Sequence, residues 1–248
     1  AGLREQELEE AGFSVEQRLG MGSAVVYEAI RNGTVDVYVE YTGTVWANFM
    51  SRESNPGRQG IRSGVVGFLE EQNVTTVGFT GFQNRYALAM RRDRALELGV
   101  TSIEDLIPIA AELSAGSDLE FFGRTEWFRL RDLYNMDFAD KLTFDVSLMY
   151  TAVAERQVDV ISAYTTDGRV AAYDLLLLDD PRNALLAYDA MILASANAAA
   201  QPKFMQILDT LVDSIPDEAM RQANRLVDVN GESITVALEY LRGEMTKD

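Results

Sequence analysis

The fold is decided by the stretch Val35-Asp36-Val37-Tyr38-Val39-Glu40-Tyr41-Thr42-Gly43-Thr44. Its first half, 35–39, is dominated by valine and predicts a β-strand. Tyr41 follows this strand, and small polar residues come directly after the tyrosine. Open α/β sheets bind ligands in the crevice at their strand ends. This stretch therefore predicts both a strand and a candidate ligand contact at its end.

Outward from this stretch, predicted strands and helices alternate along the chain. Such alternation is typical of an α/β fold, and it predicts mainly parallel sheets. Ser23 is the expected N-cap of one helix, and Ser102 with Asp105 forms an expected capping box of another. The loose stretch 51–60 is interpreted as a linker. Predicted strands cover 13–16, 35–39, 74–79, 86–90, 119–122, 158–163 and 175–178; predicted helices cover 3–11, 23–31, 61–71, 127–134, 150–156, 204–214, 217–227 and 234–241.

Three further tyrosines occupy positions like that of Tyr41. Tyr86 begins a predicted strand, Tyr164 ends one, and Tyr188 precedes an apolar strand within the segment 187–193. A single tyrosine of this kind is usually a half-buried anchor with a hydrogen-bonded hydroxyl. Four tyrosines in equivalent positions favour a shared role in ligand binding.

The composition excludes several functional classes. The net charge of −17 argues against nucleic-acid binding, because phosphates require a positive protein surface. The chain contains neither cysteine nor histidine, which excludes disulfides, thiolate metal sites and the Ser-His-Asp triad. Only carboxylate, lysine or tyrosine chemistry remains for an enzyme. The composition therefore favours binding over catalysis, and we predict no catalytic residue, no metal site and no cofactor.

Six segments, in chain order, carry a resemblance to a known family. They are VDVYVEYTGT at 35–44, NRYALA at 84–89, DLEFFGR at 118–124, VDVISAYTTDGR at 158–169, LDD at 178–180 followed by Tyr188, and MRQANRLVD at 220–228. Together they resemble the substrate-binding proteins of glycine betaine/carnitine/choline ABC importers. Each motif alone is weakly specific, but the whole set in register covers nearly the entire chain.

The resemblance implies a two-lobed, periplasmic-binding-protein-like fold of type II that closes over its ligand. The expected first lobe comprises 1–86 plus 190–248, and the second comprises 87–189. The first strand of the family's first lobe, and a ligand-lining loop after it, have no counterpart in this chain. The prolines that usually precede the last ligand-binding tyrosine are also missing.

The resemblance also implies a site. The family's aromatic cage maps onto Tyr41, Tyr86, Tyr164 and Tyr188, with Thr44 and Asn84 as polar contacts for the other end of the ligand. A trimethylammonium group has no N–H to donate, so it binds to aromatic faces by cation–π attraction. Two neighbours leave alternatives open. Arg124 is either a contact for a ligand carboxylate or a structural ion pair, and Trp127 either adds a ring to the site or packs in the core.

The expected partners are a quaternary-ammonium ligand and the membrane subunits of an ABC importer, with the binding protein itself a monomer. The implied location is periplasmic or otherwise extracytoplasmic, and a missing N-terminus leaves room for a membrane anchor. Three rival functions remain open: binding of another zwitterion or a sulfonium osmolyte, ligand sensing, and an enzyme acting on a choline-like substrate.

Overall fold

The computed structural model describes residues 2–18 and 20–245, and the chain forms two compact units. The first unit comprises Ala1–Asn84, Ala187–Met220 and Ser233–Asp248. The second comprises Arg85–Leu186 and Arg221–Glu232.

The first unit contains a three-stranded sheet with helices around it. Its strands are β1 (Val37–Tyr41), β2 (Val74–Gln83) and β8 (Asp189–Ser195). Its helices are α1 (Glu5–Glu10), α2 (Ser23–Arg31), α3 (Thr42–Thr44), a π-helical turn (Val45–Phe49), α4 (Gly57–Glu71), α10 (Ala196–Ala199), α11 (Pro202–Asp209) and α13 (Ile234–Glu244).

The second unit contains a five-stranded sheet. Its strands are β3 (Tyr86–Arg91), β4 (Ser114–Ser117), β5 (Asp140–Thr143), β6 (Val160–Tyr164) and β7 (Leu175–Leu177). Its helices are α5 (Arg92–Leu98), α6 (Ile103–Leu106), α7 (Thr125–Tyr134), α8 (Val146–Ala154) and α9 (Gly168–Ala172), with 3₁₀ turns at Ala110–Glu112 and Phe121–Gly123. Helix α12 (Asp217–Asp228) belongs to the first unit as far as Met220 and to the second from Arg221 onward.

The α/β class is confirmed, but the expectation of mainly parallel sheets is wrong for the first unit. There the order is β1-β8-β2, and β8 runs antiparallel to both neighbours. In the second sheet the order is β5-β4-β6-β3-β7; β4 is parallel to β5 and β6, whereas β3 is antiparallel to β6 and β7. The pattern of a strand shows that it is buried, but its direction depends on a partner far away in the chain.

Both faces of the second sheet are buried, and the alternation along β3 shows how. Leu88 and Met90 belong to one core cluster, together with Trp127 of α7. Ala89, which points to the opposite face, packs in another cluster with Met149 and Tyr150 of α8. Helices therefore cover this sheet on both sides, as expected for a largely apolar sheet.

Two predicted strands are absent from the described residues. Phe13 lies in a segment without regular structure, and its ring packs edge-on against Phe204 at 5.3 Å instead of joining a β-ladder. The segment 119–122 is a turn followed by a 3₁₀ turn. Its cause is Asp118, whose Oδ1 accepts the backbone N–H groups of Glu120 at 2.8 Å and Phe121 at 2.9 Å. This local hydrogen bonding ends strand β4.

One of the two predicted helix caps is present in the structure, and the other is not. The capping box of Ser102 and Asp105 at the start of α6 is confirmed, with both reciprocal hydrogen bonds present. The prediction for Ser23 is wrong: Gly22 is the N-cap of α2, and Ser23 is the first helical residue. The predicted linker is also too long, because α4 begins at Gly57.

Among the residues that the structure describes, no helix combines the length and apolar character needed to cross a membrane.

Candidate functional site

In the first unit, antiparallel pairing brings three predicted site residues to one edge of the sheet. Tyr41, the last residue of β1, pairs with Ala190 near the start of β8. Gln83, the last residue of β2, pairs with Asp189, the first residue of β8. The end of β1, the end of β2 and the beginning of β8 therefore meet, and Tyr41, Asn84 and Tyr188 lie beside one another.

Specific contacts connect these residues. The Tyr41 hydroxyl is hydrogen-bonded to the Asn84 side chain, and the Asn84 backbone N–H donates to the Tyr188 carbonyl at 3.0 Å. Burial raises the pKa of Tyr41, so the phenol stays neutral. The Tyr188 ring lies directly on Gly43, where an added Cβ would come within 2.5 Å of the ring. Glycine at this position therefore allows the ring to lie over the turn that follows Tyr41.

Thr44 contacts a buried carboxyl group rather than lying unpartnered. Its hydroxyl is hydrogen-bonded to Glu40, which is only 4% exposed and also accepts the backbone N–H of Tyr41 at 2.8 Å. Burial raises the pKa of Glu40, while the hydrogen bonds from Tyr41, Tyr38 and Thr44 oppose that rise without cancelling it. An acidic residue in a strand is usually exposed, so the burial of Glu40 could not be predicted from the sequence.

The raised pKa of Glu40 predicts a specific pH dependence of stability. A carboxyl group with a higher pKa in the folded protein stabilises the fold fully below its unfolded pKa of about 4.3, and this contribution is lost as the pH rises through the folded pKa. We expect Glu40→Gln to become progressively more stable relative to wild type as the pH rises from about 4 to about 8. Thermal melts across this range measure the difference.

The matched control is Glu71→Gln, which removes an exposed carboxylate from the last turn of α4. Its stability relative to wild type should change little over the same range. A Glu40→Gln difference that stays constant with pH would contradict the prediction.

In the second unit, direct strand pairing brings Tyr86 and Tyr164 together. Tyr86 begins β3, Tyr164 ends β6, and the two are register partners in the antiparallel ladder. Their ring centroids lie 4.8 Å apart with an interplanar angle of 32°. Tyr86 also packs against Phe121 at 4.9 Å. We call Tyr86 and Tyr164 the tyrosine pair.

Asp118 holds the tyrosine pair by its hydroxyl groups. Its Oδ2 accepts the hydroxyl of Tyr86 at 2.8 Å and that of Tyr164 at 3.0 Å, and the two hydroxyl oxygens are 3.0 Å apart. Asp118 follows β4, which runs parallel to β6, so their carboxyl ends share one edge of the sheet. Asp118 opens the motif 118–124, but its role is not predicted from that motif. The available signal is its position at the end of a strand, like that of the tyrosines.

The structure decides the two open alternatives near this pair. Arg124 forms ion pairs with Glu120 at 3.1 Å and Glu126 at 3.3 Å, and its guanidinium lies 5.7 Å from the centre of the Tyr86 ring. Trp127 is 3% exposed and stacks on Phe138, so it belongs to the core. The ion-pair and packing alternatives are therefore the ones that the structure supports.

The predicted site residues thus fall into two clusters. Tyr41, Thr44, Asn84 and Tyr188 lie together in the first unit, and the tyrosine pair lies in the second. That all six contact one ligand stays a prediction. Within residues 2–18 and 20–245, no group of three or more acidic side chains is arranged to hold a metal ion.

Comparison with known proteins gives the family. The family model described as the substrate binding domain of ABC-type glycine betaine transport systems matches residues 1–243. The glycine-betaine-binding protein of Pseudomonas aeruginosa is 30% identical over 251 residues, covering 96% of this chain and 81% of that protein.

Two further comparisons differ in what they show. The ergothioneine transport permease/ergothioneine binding protein EgtU of Helicobacter pylori is 28% identical over 85% of this chain, which spans only 38% of that protein. The crystal structure of a glycine betaine/carnitine/choline ABC transporter has a TM-score of 0.88 at 24% identity, covering 97% of this chain and 92% of that one. This likeness establishes the fold, a type II binding-protein fold. By its match along residues 1–243, the chain belongs to the family of substrate-binding domains of ABC-type glycine betaine transport systems.

Proposed function

We propose that this protein binds a quaternary-ammonium osmoprotectant, such as glycine betaine or choline, and delivers it to the membrane subunits of an ABC importer. The observation that carries the proposal is the tyrosine pair, whose two hydroxyls are held by one buried carboxylate in a chain that belongs to a glycine betaine transport family. Aromatic faces beside a buried carboxylate suit a cation that cannot donate hydrogen bonds.

The residue roles follow from ligand chemistry. The trimethylammonium group binds the faces of the four cage tyrosines, Tyr41, Tyr86, Tyr164 and Tyr188. Thr44 and Asn84 bind the polar end of the ligand. The Thr44 hydroxyl is hydrogen-bonded to Glu40, so while Glu40 is ionised the oxygen of Thr44 offers a lone pair rather than a proton. An alcohol such as choline then suits Thr44 better than a carboxylate does.

The remaining assignments rest on the family. We propose that the two compact units correspond to the two lobes expected from the sequence, and that the protein works outside the cytoplasm without chemical turnover. We also propose that it acts as a monomer, because a net charge of −17 makes its copies repel one another.

Ergothioneine is a second candidate ligand, because EgtU, which is named an ergothioneine binding protein, is 28% identical to this chain. Ergothioneine is also a trimethylammonium betaine, so the same aromatic faces would bind its methylated end. Its sulfur-bearing ring is larger than the polar end of choline. Direct competition therefore discriminates between the two.

Isothermal titration tests the proposal with glycine betaine, choline, carnitine, proline betaine and ergothioneine. We expect at least one of them to bind with a dissociation constant at the micromolar level or tighter. This corresponds to a binding free energy of about −8 kcal/mol or more favourable. Ligand recovered by mass spectrometry should be unchanged, as binding without turnover requires. If none of these compounds binds at millimolar concentration, the proposed ligand class is wrong.

A further inference from the structure

The carboxylate of Asp118 is buried and accepts four hydrogen bonds. It is 5% exposed; Oδ1 accepts two backbone N–H groups, and Oδ2 accepts both hydroxyls of the tyrosine pair. Among the described residues, no lysine or arginine forms an ion pair with it. Its charge is therefore stabilised directly by hydrogen-bond dipoles, and Arg124, whose guanidinium lies 5.7 Å from the centre of the Tyr86 ring, acts on the pair without an ion pair to Asp118.

The proton positions follow from the same contacts. Burial by itself would raise the pKa of Asp118, but the N–H groups of Glu120 and Phe121 and the two tyrosine hydroxyls outweigh it, so its pKa lies below the usual range. Burial, followed by the hydrogen bonds to Tyr164 and Asp118, raises the pKa of Tyr86. The charge stays on Asp118, and the protons stay on the phenols.

A phenol that donates to a carboxylate is polarised toward phenolate, which makes its ring face more negative. Both rings of the pair donate to the same oxygen, and the negative charge lies just beyond their hydroxyls. A cation resting on these faces is attracted by the polarised rings and, in a low-dielectric setting, by the charge behind them. A neutral group of the same shape gains only the apolar contact.

We propose that Asp118 is a specificity-determining positioning residue, which holds the tyrosine pair by its hydroxyls and makes it selective for positively charged head groups. The inference rests on the proposed function. It extends that function by naming Asp118 as the residue that makes the site prefer a charged ligand over a neutral ligand of the same shape. Asp118 acts through the two tyrosines that it holds.

The test compares two ligands of the same shape on one variant. The ligands are choline and its neutral carbon analogue, in which a tert-butyl group replaces the trimethylammonium group. For Asp118→Asn we expect the dissociation constant of choline to rise about tenfold or more, while that of the neutral analogue changes by less than about threefold. An equal loss for both ligands would show a merely structural role and overturn the inference.

Asp145→Asn is the matched control. Asp145 is an exposed carboxylate of the same unit that accepts the N–H of Ser147 but no tyrosine hydroxyl. Its removal changes the net charge equally and should leave the ratio of the two affinities unchanged. A similar loss of selectivity in this variant would point to general electrostatics and overturn the inference.

If Asp118→Asn does not fold, Tyr164→Phe serves instead, since it keeps both ring faces and removes one hydroxyl link. The choline-to-analogue affinity ratio should then fall about threefold, and a ratio equal to that of wild type would contradict the inference. The two proposals also fail differently. Wild-type protein that does not bind choline or any other quaternary ammonium contradicts the proposed function, whereas normal choline binding with unaltered selectivity in the variants contradicts only the role of Asp118.

Discussion

Replacing Tyr164 with leucine is expected to weaken choline binding about tenfold, and the same change at Tyr41, Tyr86 or Tyr188 should weaken it between about fivefold and about thirtyfold. Leucine keeps apolar bulk but removes the aromatic face, which costs about 1–2 kcal/mol of cation–π attraction per site. Isothermal titration measures the affinity, and thermal melting shows whether each variant is folded.

Phenylalanine substitutions separate the ring from the hydroxyl. Tyr86→Phe and Tyr164→Phe keep the ring face but should still weaken choline binding measurably. Each removes a hydroxyl that donates to the buried Asp118 carboxylate. Tyr173→Leu is the control, since Tyr173 is an exposed tyrosine of the second unit that is not among the predicted site residues. The cage assignment would be abandoned if all four leucine variants bound choline with wild-type affinity.

Gly168→Ala is expected to destabilise the second unit by about 1–3 kcal/mol or more. An added Cβ would lie 2.4 Å from the backbone N and Cα of Arg225, and main-chain atoms cannot move aside as a side-chain tip can. The same part of α12 is anchored to the segment after β6, because Asn224 Nδ2 donates to the Thr166 carbonyl at 2.7 Å and Arg221 Nε to the Thr165 carbonyl at 3.0 Å. The substitution would separate these segments.

Urea unfolding measures this loss. Gly123→Ala is the matched control, because a Cβ at Gly123 would meet no atom within 4 Å. Its free energy of unfolding should stay within about 0.5 kcal/mol of wild type. Comparable stability of Gly168→Ala and wild type would show that the contact relaxes without cost.

The candidate site was partly predictable, as Tyr41 and Asp118 illustrate. The position of Tyr41 at the end of a strand could be predicted because it follows a valine-rich segment and precedes small residues. Asp118 could not be assigned a role, because its partners Tyr86 and Tyr164 are 32 and 46 positions away. The burial of Glu40 could not be predicted for a related reason: it depends on the packing around the side chain and not on its neighbours in the chain.

The sequence by itself determined the local features of this protein. It determined the α/β class, the capping box of Ser102 and Asp105, and the tyrosines at strand ends, because each depends on residues a few positions apart. Only the tertiary structure decided that β8 runs antiparallel to β1 and β2, and that one carboxylate holds both tyrosines of the pair. These features depend on contacts between distant segments, whose geometry is fixed when the sheets assemble and is not encoded in any single stretch of the chain.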